Sequence, residues 1–190
     1  MNKLTWGAGI NDLPGSDTKI RKRWNGILRR TDQRDPNYND FELYKDCTLH
    51  PDWLYLSNFD KWIRSWDNYE NKYVDKDIKY PGNRMYGPDT CIMVSQSVNT
   101  FFVDPGKRTN NLPQGVYHHR STPKYRSLSR FDGKQRYCGL HKTIESAYEA
   151  FRGMKFDQLQ ILIEREDCPT VKQILSEIYE TKNTPSLSRW

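Results

Sequence analysis

Gly115–Phe151, GVYHHRSTPKYRSLSRFDGKQRYCGLHKTIESAYEAF, is the stretch that decides the fold. Three short runs, Gly115–Arg120, Lys124–Arg130 and Gln135–Leu140, are separated by Pro123 and by Asp132-Gly133. Asp-Gly is a strong hairpin signal, because a two-residue turn of this kind needs positive φ at both positions. Alternation along the second run places Lys124, Arg126 and Arg130 on one face and Tyr125, Ser127 and Ser129 on the other. Thr143 and Ser146 then offer helix caps, and Ile144, Ala147, Tyr148, Phe151 and Met154 recur along one side of a helix. The expected module is three antiparallel strands with a helix across one face.

Outward from this module, Asp104–Pro113 (DPGKRTNNLP) carries two prolines, a glycine and little that is apolar, so it reads as a linker. Beyond the first helix, Val171, Ile174, Leu175 and Ile178 mark an amphipathic helix over about 170–182. Before the linker the chain is mainly helical. Ser16 and Asp17 cap a helix over 18–30 whose stripe is Ile20, Trp24, Ile27 and Leu28, and Pro36 breaks the chain that follows. A second helix starts at Ser57, with Phe59, Trp62, Ile63 and Trp66 at helical spacing. Lys72–Ile78 alternates as a strand, Pro81-Gly82-Asn83 signals a turn, and a third helix runs from about Pro88 to Phe102. The class is α+β. The domains expected are 1–104, a linker 105–113, the sheet module 114–165, and a C-terminal helix and tail 166–190.

Composition narrows the function. Of 190 residues, 28% are charged and only 35% hydrophobic, which favours small modules over one large core. The 6 Trp, 12 Tyr and 7 Phe exclude a chain that never folds. No apolar run approaches the roughly 20 residues that span a bilayer, and no signal-peptide stretch opens the chain, so an intracellular protein without a membrane partner is expected. The four cysteines stand far apart with no CxxC pair. A Cys47/His50 CxxH pair has no second pair to complete a zinc site, and free thiols are expected. The net charge of +6 is unevenly spread. Residues 19–34 hold Lys19, Arg21, Lys22, Arg23, Arg29, Arg30 and Arg34 against Asp32 alone. Residues 107–142 hold Lys107, Arg108, Arg120, Lys124, Arg126, Arg130, Lys134, Arg136 and Lys142 against Asp132 alone. Two basic blocks with interleaved Tyr and His point to an extended polyanion. An acidic protein partner is the other reading of the same blocks.

Residues 115–155 resemble the Apetala-type (ethylene-response-factor-like) DNA-binding domain. The resemblance rests on Gly115-Val116, Lys124-Tyr125-Arg126-Ser127, Tyr137-Cys138-Gly139 and Thr143-Ile144-Glu145-Ser146-Ala147-Tyr148-Glu149-Ala150-Phe151. Cys138 and His141 depart from the Leu and Phe usual in that family. The resemblance implies a sheet that enters the major groove, with Tyr117, His119, Arg120, Lys124, Arg126, Arg130, Lys134, Gln135, Arg136 and Tyr137 facing double-stranded DNA. Lys22, Arg29 and Arg30 of the first helix are expected on phosphates.

Residues 19–104 are similar to the N-terminal part of phage and mobile-element HNH homing endonucleases. The residues that carry this are Arg23–Arg30 (RWNGILRR), Pro36-Asn37-Tyr38, Cys47, Trp53, Phe59, Trp62, Val74-Asp75-Lys76-Asp77 and Gly82–Cys91 (GNRMYGPDTC). The resemblance implies a ββα-metal finger holding Mg²⁺ or Mn²⁺, with hydrolysis of a DNA phosphodiester. Asp75 is the implied metal carboxylate and Asn83 the loop Asn, and Thr90 or Asp89 stands near the last ligand; Asp77, on the same side of the strand as Asp75, is the candidate to share the ion or to serve as the working carboxylate instead. Lys76 takes the place of the general-base His, which degrades the signature, since a protonated Lys is a poor base at neutral pH. Two readings stay open: a metal-dependent nicking or cleaving enzyme, and the same scaffold without catalysis, acting as a transcriptional repressor. The resemblance places the protein in the cytoplasm of a bacterial host, at the nucleoid. The C-terminal helix offers a surface for a homodimer.

Overall fold

Asp17 starts the first helix. Its carboxylate accepts from the backbone N–H of Lys19 at 2.6 Å and of Ile20 at 3.4 Å, two donors that a helix start leaves unpaired. The Lys19 bond comes first among the influences that hold the Asp17 carboxyl below the usual range. In the computed structural model, which describes residues 4–32, 44–103 and 111–181, helix α1 spans Thr18–Thr31. The Pro36 break, Pro36-Asn37-Tyr38, residues 104–110 of the linker and Lys182 lie outside the described residues. The chain divides into two compact units, Met1–Gln96 and Ser97–Trp190.

In the first unit, Ile20, Trp24, Ile27 and Leu28 of α1 are buried as the stripe requires. They pack with Trp53, Leu56, Phe59, Ile63, Tyr86, Cys91 and Met93. Trp24 Nε1 donates to the Trp53 carbonyl at 2.7 Å, so the ring is buried without stranding its polar atom. Helix α2, Leu56–Arg64, carries a run of ring contacts from Trp53 through Phe59 and Trp62 to Trp66. Full burial of a side chain such as Phe59 contributes about 1.5–3 kcal/mol. Four short strands complete the unit: β1 Thr48–Leu49, β2 Tyr73–Asp75, β3 Met85–Tyr86 and β4 Ile92–Val94. β1 pairs with β3 in parallel, and β2 pairs with β4 in antiparallel fashion with Asp75 opposite Ile92.

Here the structure corrects the helix expected from Pro88. Pro88–Cys91 form no helix, Ile92-Met93-Val94 are a fully buried strand, and helix α3 covers only Gln96–Phe102. A short buried run rich in β-branched residues finds its backbone partners in β2. The strand expected over 72–78 stops at Asp75, for a reason that lies in the Asp75 side chain itself, described below.

The second unit opens with α3 rather than after the 105–113 linker. Lys155 is buried and donates from Nζ to the Phe101 carbonyl at 2.7 Å, with Nζ 3.4 Å from the centre of the Phe101 ring. Phe101 also meets Phe131 edge-on. These contacts carry α3 into the sheet module. The sheet has the order β5-β6-β7, with β5 Val116–His118, β6 Tyr125–Phe131 and β7 Lys134–His141, all antiparallel. Asp132 and Gly133 close the β6–β7 hairpin at φ 49° and 73°. Arg165 pins this turn by a 2.7 Å ion pair to Asp132.

Helix α4, Ile144–Arg165, is capped by Thr143, whose hydroxyl accepts from Ser146 N–H at 3.2 Å. Its buried stripe is Ala147, Phe151, Lys155, Gln158, Leu159 and Leu162. Gly115, at φ 76°, lies so close to Phe151 that a β-carbon there would overlap the ring. Helix α5, Pro169–Glu180, buries Val171 and Leu175 completely, and its Tyr179 meets Phe156 of α4. Much of the stripe that offered a homodimer surface is thus spent inside the unit. Among the described residues no helix is long and apolar enough to cross a membrane.

Candidate nucleic-acid interface and the Asp75–Thr90 loop

The two faces of the sheet differ in kind. Val116, Ser127, Ser129 and Phe131 are buried toward α4, and Ser129 donates its hydroxyl to Gln158 Oε1 at 2.9 Å. The intervening residues of β6, Arg126, Leu128 and Arg130, face away, and Lys124 precedes them on the same side. Cross-strand pairing sets Tyr117 and Leu140 opposite Arg126, Tyr137 opposite Leu128, and Gln135 opposite Arg130. No acidic residue occurs in β5, β6 or β7. The Arg126 guanidinium stacks over Tyr117, 5.6 Å from the ring centre, and its shielded Nε has no hydrogen-bond partner among the described residues. Tyr137 is 63% exposed. Such a face combines fixed cations with flat, amphipathic rings, which suits phosphates and base edges.

The pairing also sorts the residues expected from the sequence. Tyr117, Lys124, Arg126, Arg130, Gln135 and Tyr137 share the open face. Lys134 and Arg136 do not. They pair with Phe131 and Ser129, both turned to the helix, so alternation assigns them to that side of the edge strand. His119 lies beyond β5, in the β5–β6 turn, where its Nδ1 stands 3.0 Å from the Thr122 hydroxyl, and Arg120 is an exposed residue of the same turn. Strand alternation alone missed Leu140. A bulge inserts Cys138 between Gly139, which pairs with Ser127, and Tyr137, which pairs with Leu128. The extra residue brings Leu140 to the same face as Tyr137. Burial comes first among the influences that raise the Cys138 thiol above its usual range.

Along α1, Lys22 is exposed, but its neighbours are engaged. Arg23 donates from Nη2 to the carbonyls of Glu70 at 2.8 Å and Lys72 at 3.0 Å. Arg29 lies over Trp6 and Arg30 over Tyr44. The helix therefore offers less open cationic surface than its sequence suggests.

The loop between β2 and β4 turns its polar groups inward. Asp75 Oδ1 accepts from the backbone N–H of Asp77 at 2.8 Å and of Ile78 at 2.6 Å. That pair of bonds turns the chain and ends β2. Burial pushes the Asp75 carboxyl above its usual range, against the pull of these two bonds. Lys76 is only 7% exposed. Its Nζ donates to both Asp77 carboxylate oxygens at 2.7 and 2.9 Å and to the Asn83 carbonyl at 2.8 Å, and stands over the Tyr86 ring. The Asn83 amide donates to the carbonyls of Lys76 and Met85, and its oxygen accepts from Met85 N–H. Thr90 donates to the Met85 carbonyl at 2.8 Å.

Each of the five residues assigned to catalysis or metal binding thus holds this loop together. Asp75 and Asp77 were expected to face one ion. Instead Asp77 closes on the Lys76 ammonium while Asp75 grips backbone N–H groups. A hard divalent cation takes about six oxygen ligands. As arranged, these donors do not fit one, because the ammonium already takes the oxygens of Asp77 and Asn83. Among the described residues no group of three or more His, Cys, Asp or Glu side chains stands together. Cys47 and Cys91 are both buried free thiols, and burial raises Cys91 to about 11. His50, the histidine of the incomplete CxxH pair, sits against Gly87, and its Nδ1 accepts from Asp52 N–H at 3.3 Å. It caps the turn Pro51–Leu54.

No protein-family model, curated protein or solved structure matches this chain.

Proposed function

We propose that the chain is a sequence-specific double-stranded-DNA-binding protein that recognises its site through the open face of β5-β6-β7, with the Asp75–Thr90 loop acting as a folded brace rather than a reaction centre. The observation that carries the reading is the acid-free sheet face on which Arg126 and Arg130 stand beside exposed tyrosines. Arginine reads guanine O6 and N7 in the major groove, and a two-stranded ribbon fits that groove. The inward use of Lys76, Asp77 and Asn83 favours a regulator that binds without cutting.

One observation favours the second reading, a metal-dependent endonuclease similar to the HNH homing kind. Asp75 is a shielded carboxyl displaced from its usual range, and only its Oδ1 is hydrogen-bonded among the described residues. Perturbed carboxyls of this type gather at reactive sites. Both readings are separated by incubating the protein with supercoiled DNA, with and without Mg²⁺ or Mn²⁺, beside a gel-shift assay. The regulator reading expects a shifted duplex and intact supercoils. Nicks that need the metal and vanish in Asp75→Ala would replace it with the enzyme.

A further inference from the structure

On the open face of the sheet, β6 presents Arg126, Leu128 and Arg130 in alternation, and the bulge at Cys138 swings Leu140 into line beside Arg126. Leu140 is 39% exposed and Leu128 half-buried. Neither is among the buried residues that face the helix side of the sheet. Two leucines set between cations would be an odd choice for a face that met phosphates alone. In the major groove, however, one base edge is apolar: the C5 methyl of thymine.

We propose that Leu128 and Leu140 are specificity residues that read thymine methyl groups, Leu128 between guanines read by Arg126 and Arg130 and Leu140 beside the guanine read by Arg126. This rests on the duplex-DNA reading above and names what that face selects. The occupant is fixed by charge complementarity, since the face bears arginines and no carboxylate. Spacing gives the pattern. Alternate residues of a strand are about 6.6 Å apart, close to two base-pair steps of about 3.4 Å each. A strand lying along the groove therefore sets guanine, thymine and guanine contacts at intervals of about two base pairs.

The test is selection of duplexes from a random pool by the full chain, followed by replacement of thymidine with deoxyuridine in the selected site. That exchange deletes the methyl and keeps every base-pairing atom. Wild-type affinity is expected to fall about fourfold for each methyl contacted, the transfer value of one buried carbon. Leu128→Ala and Leu140→Ala are each expected to bind the thymidine and deoxyuridine forms of their contacted position equally. Equal wild-type affinity for the two forms overturns the methyl reading and leaves DNA binding standing, as do selected sites without thymine between guanines. No retained duplex at about 50 mM salt, where electrostatic binding is strong, overturns both.

Discussion

Lys76 spends its ammonium on three oxygens of its own loop, whereas the side chains of Arg130, Gln135 and Tyr137 make no hydrogen bond to the described residues. Asn83 likewise spends all three of its side-chain bonds within ten residues of chain. The loop and the sheet face are built from similar polar residues, yet the first is satisfied internally and the second is left for a partner. What separates them is the backbone each must serve. The loop links two-residue and three-residue strands and has few ladder bonds of its own, so side chains must satisfy its carbonyls and N–H groups. The sheet satisfies its backbone between strands and buries one face on α4, which leaves the other face's side chains unspent.

Substitutions can break this contrast. The largest effect is expected at Asn83→Ala, which removes three side-chain hydrogen bonds at roughly 1 kcal/mol each. Denaturant unfolding is expected to show a loss of about 3 kcal/mol. A loss below about 0.5 kcal/mol would show that the loop does not depend on its internal network. By contrast, Arg126→Ala or Arg130→Ala is expected to leave stability within about 0.5 kcal/mol while reducing discrimination between DNA sites by about 2 kcal/mol. Competition binding with selected and scrambled duplexes measures it.

Lys155 sharpens the contrast from within the second unit. Burial lowers its pKa from the ordinary 10.5 to about 7. Between those values the unfolded chain holds a proton that the folded chain releases, so stability rises with pH across that window and falls as pH drops toward 7. From pH 7 to 8.5 the gain is expected to be roughly 1.5 kcal/mol. Thermal melts of wild type and Lys155→Met over this range check it, with the variant expected to be flat. The smallest effect is at Lys22→Ala. One exposed phosphate contact from α1 is expected to weaken all duplexes about equally and to reduce the salt slope by about 1. A chelator such as EDTA is expected to leave the melting temperature unchanged, because Lys76 supplies the loop's cation from within the chain.

How much of this was legible depends on where each signal resides. The hairpin at Asp132-Gly133, the Thr143 cap and the Ile20–Leu28 stripe were readable because each is local: a turn residue, a capping hydroxyl, a helical period. Pro88–Phe102 was misread as one helix because Ile92-Met93-Val94 is apolar at either period, and only pairing with β2 decides it. The open face was readable along β6, which is regular. It was half-readable along β7: alternation from Gln135 and Tyr137 already turns Lys134 and Arg136 to the helix side, but the bulge at Cys138 brings Leu140 to the open face, which a regular strand would not give. The loop's residues were singled out as a set for catalysis, but composition does not say whether an Asp faces an ion or a lysine. That depended on Lys76 being buried, a tertiary fact with no local signature.

The most direct test of the central claim is the salt dependence of duplex binding by fluorescence anisotropy, with wild type beside the Arg126→Ala/Arg130→Ala double variant. If about six phosphates are neutralised, log K falls against log salt with a slope of about −5. The double variant is expected to lose its preference for the selected site and to keep at least half of that slope. Absence of binding at about 50 mM salt, a slope near zero, or a double variant that still prefers the selected site would contradict recognition by the open face of the sheet.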